Sequence, residues 1–455
     1  MVPTITTDVE KSTTSKIAKK LMPLLVICMF IAFLDRINIA FAALTMNKDL
    51  GLSAEVFGLG AGLFFLGYVV FEVPSNLILV KVGPKRWFAR IMITWGLIAA
   101  GMAFVQGAKS FYIMRVLLGL AEAGFAPGAI FLLTLWYRKR ERAQAAGIFH
   151  CGSFLGAAVG APLSGLIMTY LHGTMGLTGW QWLFIAEGLP AVIMAFVVLK
   201  YLPNRPRDAK WLKSEEREWI TQTIEAENRA EAEVEHISVW QALTSPKTLL
   251  LSFIYFCFCV GALGLTIWLP QLIKALGKAQ NLSTLAITLY TMLPFWLIIF
   301  SLVISGRHSD KTGERRWHLT IASLVCACGL FVTAGATSLT IGICALIVVG
   351  IGLGGVQPAF WGAATDMLDP KEAAAAIALI CCVGNLGGFV GPYLVGLAKA
   401  LTGEFNVGVY IFSGCFALVA ILIHVVFAIT KKAGGVSKRL QAAAGAEVSL
   451  PGKTQ

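Results

Sequence analysis

Twelve separate runs of apolar residues, each about 20 or more residues long, constrain this 455-residue chain more than any other feature. A helix rising 1.5 Å per residue needs about 20 residues to cross roughly 30 Å of hydrocarbon. In lipid every backbone N–H and C=O must be satisfied within the segment, so runs of this length are expected to be helices. The expected spans are 21–44, 56–80, 87–106, 111–136, 142–170, 180–202, 249–274, 284–306, 318–336, 339–362, 371–398 and 407–431. Only a couple of residues separate the ninth from the tenth, and the fifth and eleventh are long enough to tilt. With 57% hydrophobic and 14% charged residues, the chain has too few charges to coat a soluble protein of this size.

A net charge of +12 would suit a polyanionic partner, but its placement argues for topology instead. If the N-terminus is inside, the inner tails, loops and helix ends collect Lys11, Lys16, Lys19 and Lys20; Lys81, Lys85 and Arg86; Arg138, Lys139, Arg140 and Arg142. In the second half they add Arg307, Lys311, Arg315 and Arg316, then Lys431 and Lys432. The outer connections carry only Lys48, Lys109, Lys274, Lys278 and Lys399. This asymmetry places both termini in the cytoplasm and leaves no reason to expect nucleic acid. The first apolar block is too long for a signal-peptide core and lacks a small-x-small cleavage site, so it is expected to remain as the first span. The ten cysteines lie almost entirely within spans, and Cys257/Cys259, Cys326/Cys328 and Cys381/Cys382 cannot share a helix face. They are expected to pack helices; neither metal, disulfide nor cofactor is expected.

Residues 203–247 break the apolar pattern with a charge-rich stretch, from Pro203-Asn204-Arg205-Pro206 through Glu215-Glu216-Arg217-Glu218 to His236. It reads as a cytoplasmic linker with one surface helix, between a bundle at 21–202 and another at 248–431, with tails at 1–20 and 432–455. The halves repeat. Gly83, Lys85 and Arg86 correspond to Gly313, Arg315 and Arg316; Gly119, Gly124 and Pro127 to Gly350, Gly355 and Pro358; Gly156, Gly160 and Gly165 to Gly387, Gly391 and Gly396. Three landmarks share one offset. The expected fold is an all-α membrane protein, twelve transmembrane helices arranged as two pseudo-symmetric six-helix bundles with a site between them near the midplane.

The motif Gly306-x-x-x-Asp310-Lys311-x-Gly313-x-Arg315-Arg316 resembles, at every defining position, the inner-loop signature of the major facilitator superfamily. In the first half Asn76 replaces the leading Gly and Val80 the Asp, while Lys81, Gly83, Lys85 and Arg86 remain. Glu72-Val73-Pro74-Ser75-Asn76, Phe33-Leu34-Asp35-Arg36-Ile37-Asn38 and the run from Arg115 through Glu122 to Pro127-Gly128 are similar to the anion:cation symporter family within it. Gly179-Trp180-Gln181-Trp182 and Glu187-Gly188-Leu189-Pro190 add to the resemblance, which is closest to the tartrate, phthalate and 4-hydroxyphenylacetate permeases and covers about residues 20–430. It implies a functional monomer of the cell inner membrane. Asp310, Lys311, Arg315 and Arg316 are expected to act as an inner-loop gate, pairing with a neighbouring helix in one conformation and releasing it in the other.

Four ionisable residues lie deep in spans: Asp35 and Arg36 in the first, Arg115 and Glu122 in the fourth. A charge at the bilayer centre costs about 2.5–3.5 kcal/mol on insertion scales, so such groups face a cavity and pair. Arg115 and Glu122, two turns apart, share a face. The repeat offset carries Arg115 to Leu346, Glu122 to Leu353 and Asp35 to the neighbourhood of Thr266, so the charges belong to the first half alone. Arg36 is expected to bind a substrate carboxylate through its planar fork. Asp35 and Glu122 are expected to carry coupling protons, with Arg115 holding them ionised when unprotonated. The same positions in the resembling family are associated with substrate binding and proton coupling.

Tyr68, at a similar depth, resembles a family position lining the site, and Gln357 and Asn385 are second-half candidates for the far end of the substrate; helix packing competes for all three. Glu72 and Arg90 are a candidate gate pair. The expected function is import of a small organic anion with protons, an aromatic acid or hydroxy-dicarboxylate. An exchanger or uniporter of the same fold is the alternative. A transporter-like receptor would need a longer cytoplasmic domain, and no nucleotide loop, metal spacing or nucleophile set suggests an enzyme.

Overall fold

A computed structural model describes residues 7–232, 239–368 and 372–448; parts of the expected tails and linker lie outside this range. Among the described residues twelve helices are long and apolar enough to cross a membrane, and no strand occurs. In chain order they are α1 (Thr7–Asp49), α2 (Ala54–Val82), α3 (Pro84–Gly101), α4 (Ala108–Trp136), α5 (Lys139–Tyr170) and α6 (Gly179–Tyr201). The second half holds α7 (Pro246–Leu276), α8 (Thr284–Thr312), α9 (Arg316–Ala334), α10 (Leu339–Met367), α11 (Ala373–Thr402) and α12 (Asn406–Val448). The turn between α9 and α10 is four residues, 335–338, where the hydropathy pattern shows barely a break.

The first span was expected to begin at 21, but α1 starts at Thr7. Its leading turns are too polar to read as a span, yet they pack on the linker. Ile17 is buried, and Lys16 Nζ and Ser12 Oγ each donate to Glu216 Oε1 at 2.7 Å. Glu216 belongs to the surface helix Ser214–Ala232, which is followed by a second, shorter helix, Val239–Thr244. Burial pushes the Glu216 carboxyl up, but Lys16, the Lys213 backbone N–H and Ser12 together outweigh it and leave it below its usual range. A carboxyl lowered in this way contributes stability above its unfolded pKa, lost as pH falls through the folded value. Glu216→Gln is therefore expected to loosen the linker by about 1–3 kcal/mol. The readout is faster amide hydrogen exchange across 214–232, and the same loosening is expected in the wild type below the ordinary glutamate range.

The two halves meet at the end of the bundle that the basic clusters assign to the outside. There α2 lies against α11 at Gly58 and Gly396, and α8 against α5 at Thr288 and Gly165. The repeat offset carries one contact onto the other, since Gly58 to Thr288 is 230 positions and Gly165 to Gly396 is 231. Lys274 Nζ donates to the Leu44 carbonyl at 2.7 Å, and these two are also 230 apart. The duplication is thus visible as pseudo-twofold packing. The Trp268 indole, edge-on to Phe57 at 5.1 Å and bonded to the Pro392 carbonyl at 2.9 Å, closes the same end. A Cβ on Gly58 would come within 3.1 Å of the Gly396 Cα, and the reverse distance is also 3.1 Å. Gly58→Val is expected to cost this closed end about 1–3 kcal/mol, seen as lost hydrogen-exchange protection at 54–62 and 388–396 and impaired transport.

Candidate functional site

The helix that carries Arg115 and Glu122 is broken beside the second of them. The first segment of α4 ends at Glu122, Ala123 is extended, and Gly124 takes φ +89° before helix resumes at Phe125. Only glycine holds that backbone without strain, and a Cβ there would also collide with Ser75 Oγ. The Ala123 carbonyl freed by the break accepts from Ser75 Oγ at 2.7 Å, and Ser75 in turn accepts from Trp87 Nε1 at 3.0 Å. Irregular backbone at membrane depth is tolerated where protein satisfies it, and broken helices mark binding sites in carriers. In the second half α10 runs unbroken through the matching Gly355 and Pro358. The break, like the charges, belongs to the first half.

Arg36 donates through Nη2 to Glu122 Oε1 in a short ion pair between α1 and the end of that half-helix. The carbonyl end of a helix favours a cation, so the guanidinium suits this place. Its side chain is 20% exposed, against 2% for Glu122, and its Nε has no partner. The Tyr68 and Phe64 rings lie 5.3 and 5.5 Å from the Arg36 guanidinium carbon, and the Tyr68 hydroxyl is within reach of it. Phe64 also faces Arg115 at 4.9 Å. Two guanidiniums thus share one ring, which helps offset their mutual repulsion.

Arg115 is fully buried, within the electrostatic reach of both Glu122 and Asp35, and its hydrogen bonds go to backbone. Its Nε and Nη2 reach the Gly60 and Ala61 carbonyls of α2 at 3.4 and 3.3 Å, and no ion pair to either acid is found among the described residues. The arginine that pairs with Glu122 is Arg36. Sharing a helix face with Glu122 was not enough, because Arg115 turns toward the α2 backbone.

Asp35 is 1% exposed and projects about 100° round α1 from Arg36. Its Oδ1 accepts from Asn38 Nδ2 at 2.9 Å and its Oδ2 has no partner. Beyond Asn38 lies Glu187 of α6, 2% exposed, whose Oε1 accepts from Ser164 at 2.9 Å. Sequence reasoning placed Glu187 only within a family-like motif at the start of the sixth span and missed its depth. Counting it, three buried acids accompany two guanidiniums, where the sequence had singled out two acids and two bases.

Glu72, on α2 below Tyr68, reaches Asn385 of α11 and so links the halves. Arg90 instead stacks on Trp87 at 3.9 Å and bonds Thr94, so the candidate Glu72–Arg90 gate pair does not form. Gln357 is half-buried on α10, one turn before Trp361. Trp361 packs edge-on to Tyr255 at 5.1 Å, and Tyr255 stacks on Phe360 at 4.9 Å. Tyr255 was invisible as a candidate because an aromatic in an apolar span carries no periodic signal. At the turn between α8 and α9 Arg315 bridges Asp310 (2.6 Å) and Asp366 of α10 (3.4 Å), and Arg316 donates to His424 of α12 at 2.7 Å. Lys311 is exposed.

Twelve membrane-length helices in two related halves, with a cluster of buried charges and a broken helix in the first, are the architecture of a polytopic membrane transporter. The chain belongs to the Major Facilitator Superfamily, which matches residues 25–392. It is 47% identical over 418 residues to a putative tartrate transporter of Agrobacterium vitis, covering 92% of each chain. It is 39% identical over 421 residues to a quinolone resistance transporter of Acinetobacter baumannii, covering 92% of this chain and 96% of the relative. Among solved structures, the xylose transporter XylE of E. coli in a partially occluded inward-open conformation superposes with a TM-score of 0.72. That match has 13% identity and covers 90% of this chain and 97% of the other.

Proposed function

We propose that this protein imports a small organic anion by proton symport with alternating access, acting as a monomer in the cell inner membrane with both termini cytoplasmic. The observation that carries the reading is the half-committed guanidinium of Arg36. One arm is held by Glu122, while Nε lacks a partner and the side chain stays partly open. A substrate carboxylate competes with Glu122 for that fork. Protonating Glu122 removes the competitor, so proton and anion binding support each other without touching. Arg115 acts through α2, clamping the carbonyls next to Phe64 and holding the ring that both guanidiniums face. Asp35 is the second proton carrier.

The rest of the substrate reaches toward Tyr68, Asn385 and Gln357, with the Tyr255–Phe360–Trp361 group as an apolar wall. The name of the Agrobacterium vitis relative supports a hydroxy-dicarboxylate such as tartrate, and the wall supports a flat aromatic acid; both are compact carboxylates. The packing of α2 on α11 and α5 on α8 is that of a carrier shut to the outside. The inner-loop cluster of Asp310, Lys311, Arg315 and Arg316 is the gate that reorganises when the inner end closes.

The binding claim is tested on purified protein by calorimetry in buffers of different ionisation enthalpy. Binding of the anion is expected to take up about one proton, and affinity to rise as pH falls. In Glu122→Gln the proton uptake linked to that residue should vanish. Binding with no proton uptake in the wild type would remove the coupling role from Glu122.

A further inference from the structure

Asp35 of α1 and Glu187 of α6 are buried close to one another, Asp35 at 1% and Glu187 at 2% exposure. Asn38 stands between them, donating to Asp35 Oδ1 at 2.9 Å and lying within reach of Glu187. Ser164 of α5 donates to the other face of Glu187 at 2.9 Å. Asp35 Oδ2 and Glu187 Oε2 are both buried without partners. The fully buried indole N–H of Trp95 on α3 faces Asp35 without a hydrogen bond of good geometry. These are buried polar atoms with hydrogen-bonding capacity to spare.

The charged groups around the two carboxyls can be named element by element. Helix α1 brings Asp35 and Arg36; α4 brings Glu122 and Arg115; α6 brings Glu187; α3 and α5 bring only Trp95 and Ser164. Arg36 pairs through one arm with Glu122 and Arg115 bonds the α2 carbonyls, and among the described residues no ion pair to Glu187 is found. An ionised carboxylate in such surroundings is costly, and two of them side by side more so. Three acids against two cations leave one negative charge over, which a resident proton neutralises at lower cost than an unpaired buried carboxylate.

We propose that Asp35, Asn38 and Glu187 form a second proton-binding site of the transport cycle, distinct from the Arg36–Glu122 pair, in which the two carboxyls hold one proton between them. With one proton between them the pair carries a single negative charge; when that proton leaves for the coupling pathway both carboxyls are ionised, and when a proton returns the single charge is restored. Glu187 thereby sets the pH at which Asp35 exchanges with the coupling pathway. The inference rests on the proton-symport reading and adds to it a carboxyl outside the substrate site.

The test uses the full-length protein in liposomes, with Glu187→Gln, Asp35→Asn and the double variant. Gln keeps an oxygen for Ser164 but cannot bind a proton. In E187Q the pH of half-maximal proton-driven uptake is expected to move down by about one unit or more, because Asp35 no longer sits beside a second ionisable carboxyl. Substrate exchange at equal concentrations on both sides should persist, showing that the variant folds and binds. Since Glu187 acts through Asp35, the double variant should behave as D35N alone. Infrared spectra at neutral pH should show a buried protonated-carboxyl band that weakens in E187Q. The inference is overturned by a pH profile that superimposes on the wild type, by loss of exchange together with uptake, by additive effects in the double variant, or by a requirement for Na⁺ instead of protons. Uptake by the wild type that ignores a proton uncoupler would instead sink the symport reading, whatever E187Q does.

Discussion

Arg36→Gln is expected to abolish uptake, and Arg36→Lys to weaken it by at least tenfold. Two effects add in the glutamine variant. The substrate carboxylate loses charge-assisted hydrogen bonds worth about 1.5–3 kcal/mol each, and a bidentate contact makes two. Glu122 also loses its ion-pair partner, and an orphaned buried charge costs about 3–5 kcal/mol. Together they exceed the 1.4 kcal/mol that corresponds to each tenfold in affinity several times over. Lysine separates the effects. It keeps a positive charge near Glu122 but offers a point charge where a planar fork is needed. Uptake in Arg36→Lys equal to the wild type would mean that the site needs only charge, and the bidentate role of Arg36 would be wrong. The measurement is initial uptake rate against substrate concentration, corrected for the amount of protein in the membrane.

Glu122→Gln should leave exchange intact while destroying accumulation. Glutamine still offers an oxygen to Arg36 Nη2 but neither binds a proton nor competes as an anion for the guanidinium. The anion then binds and crosses without a proton on that site. Coupling to a 100 mV driving force is worth about 2.3 kcal/mol per charge, or about 50-fold accumulation, and this factor is expected to collapse toward one. Asp35→Asn is expected to give the same split between lost accumulation and retained exchange. The two acids lie in different surroundings, Glu122 on a guanidinium and Asp35 beside Asn38 and Glu187. Their pH profiles should therefore differ even though the phenotype is shared. Full accumulation in both variants would place the coupling protons elsewhere.

The twelve spans were legible because lipid leaves a chain few options, and hydrophobic length survives any detail of packing. The duplication was legible too, since close-packed helices need small residues at fixed positions; Gly58 and Thr288 against Gly396 and Gly165 show why those landmarks recur. The membership of Arg36 and Glu122 in one site followed from their cost in lipid. Their partners did not. Which acid Arg36 meets depends on helix rotation and on the break at Gly124, and a break depends on whether neighbouring groups such as Ser75 can satisfy the freed carbonyl. The hydrogen-bond partners of Arg115 were hidden for a related reason. Shared helical face describes direction, while the Gly60 and Ala61 carbonyls that hold it come from another helix. Glu187 lies eight residues into α6 and inside the expected span 180–202, yet it was weighed only as part of a family-like motif and not with the deep ionisable residues. The leading turns of α1 were missed because their packing is on a polar linker helix.

The central claim, that this carrier couples a small carboxylate to protons through Arg36 and Glu122, is most directly tested by uptake into energised membrane vesicles. Labelled tartrate, phthalate, 4-hydroxyphenylacetate and galactonate would be offered in turn, with and without a proton uncoupler. The expected result is concentrative uptake of one compact acid, abolished by the uncoupler and absent in Arg36→Gln. Uptake that is unchanged by the uncoupler would contradict proton symport, return Asp35 and Glu122 to structural partners, and make exchange or facilitated diffusion the activity of this fold.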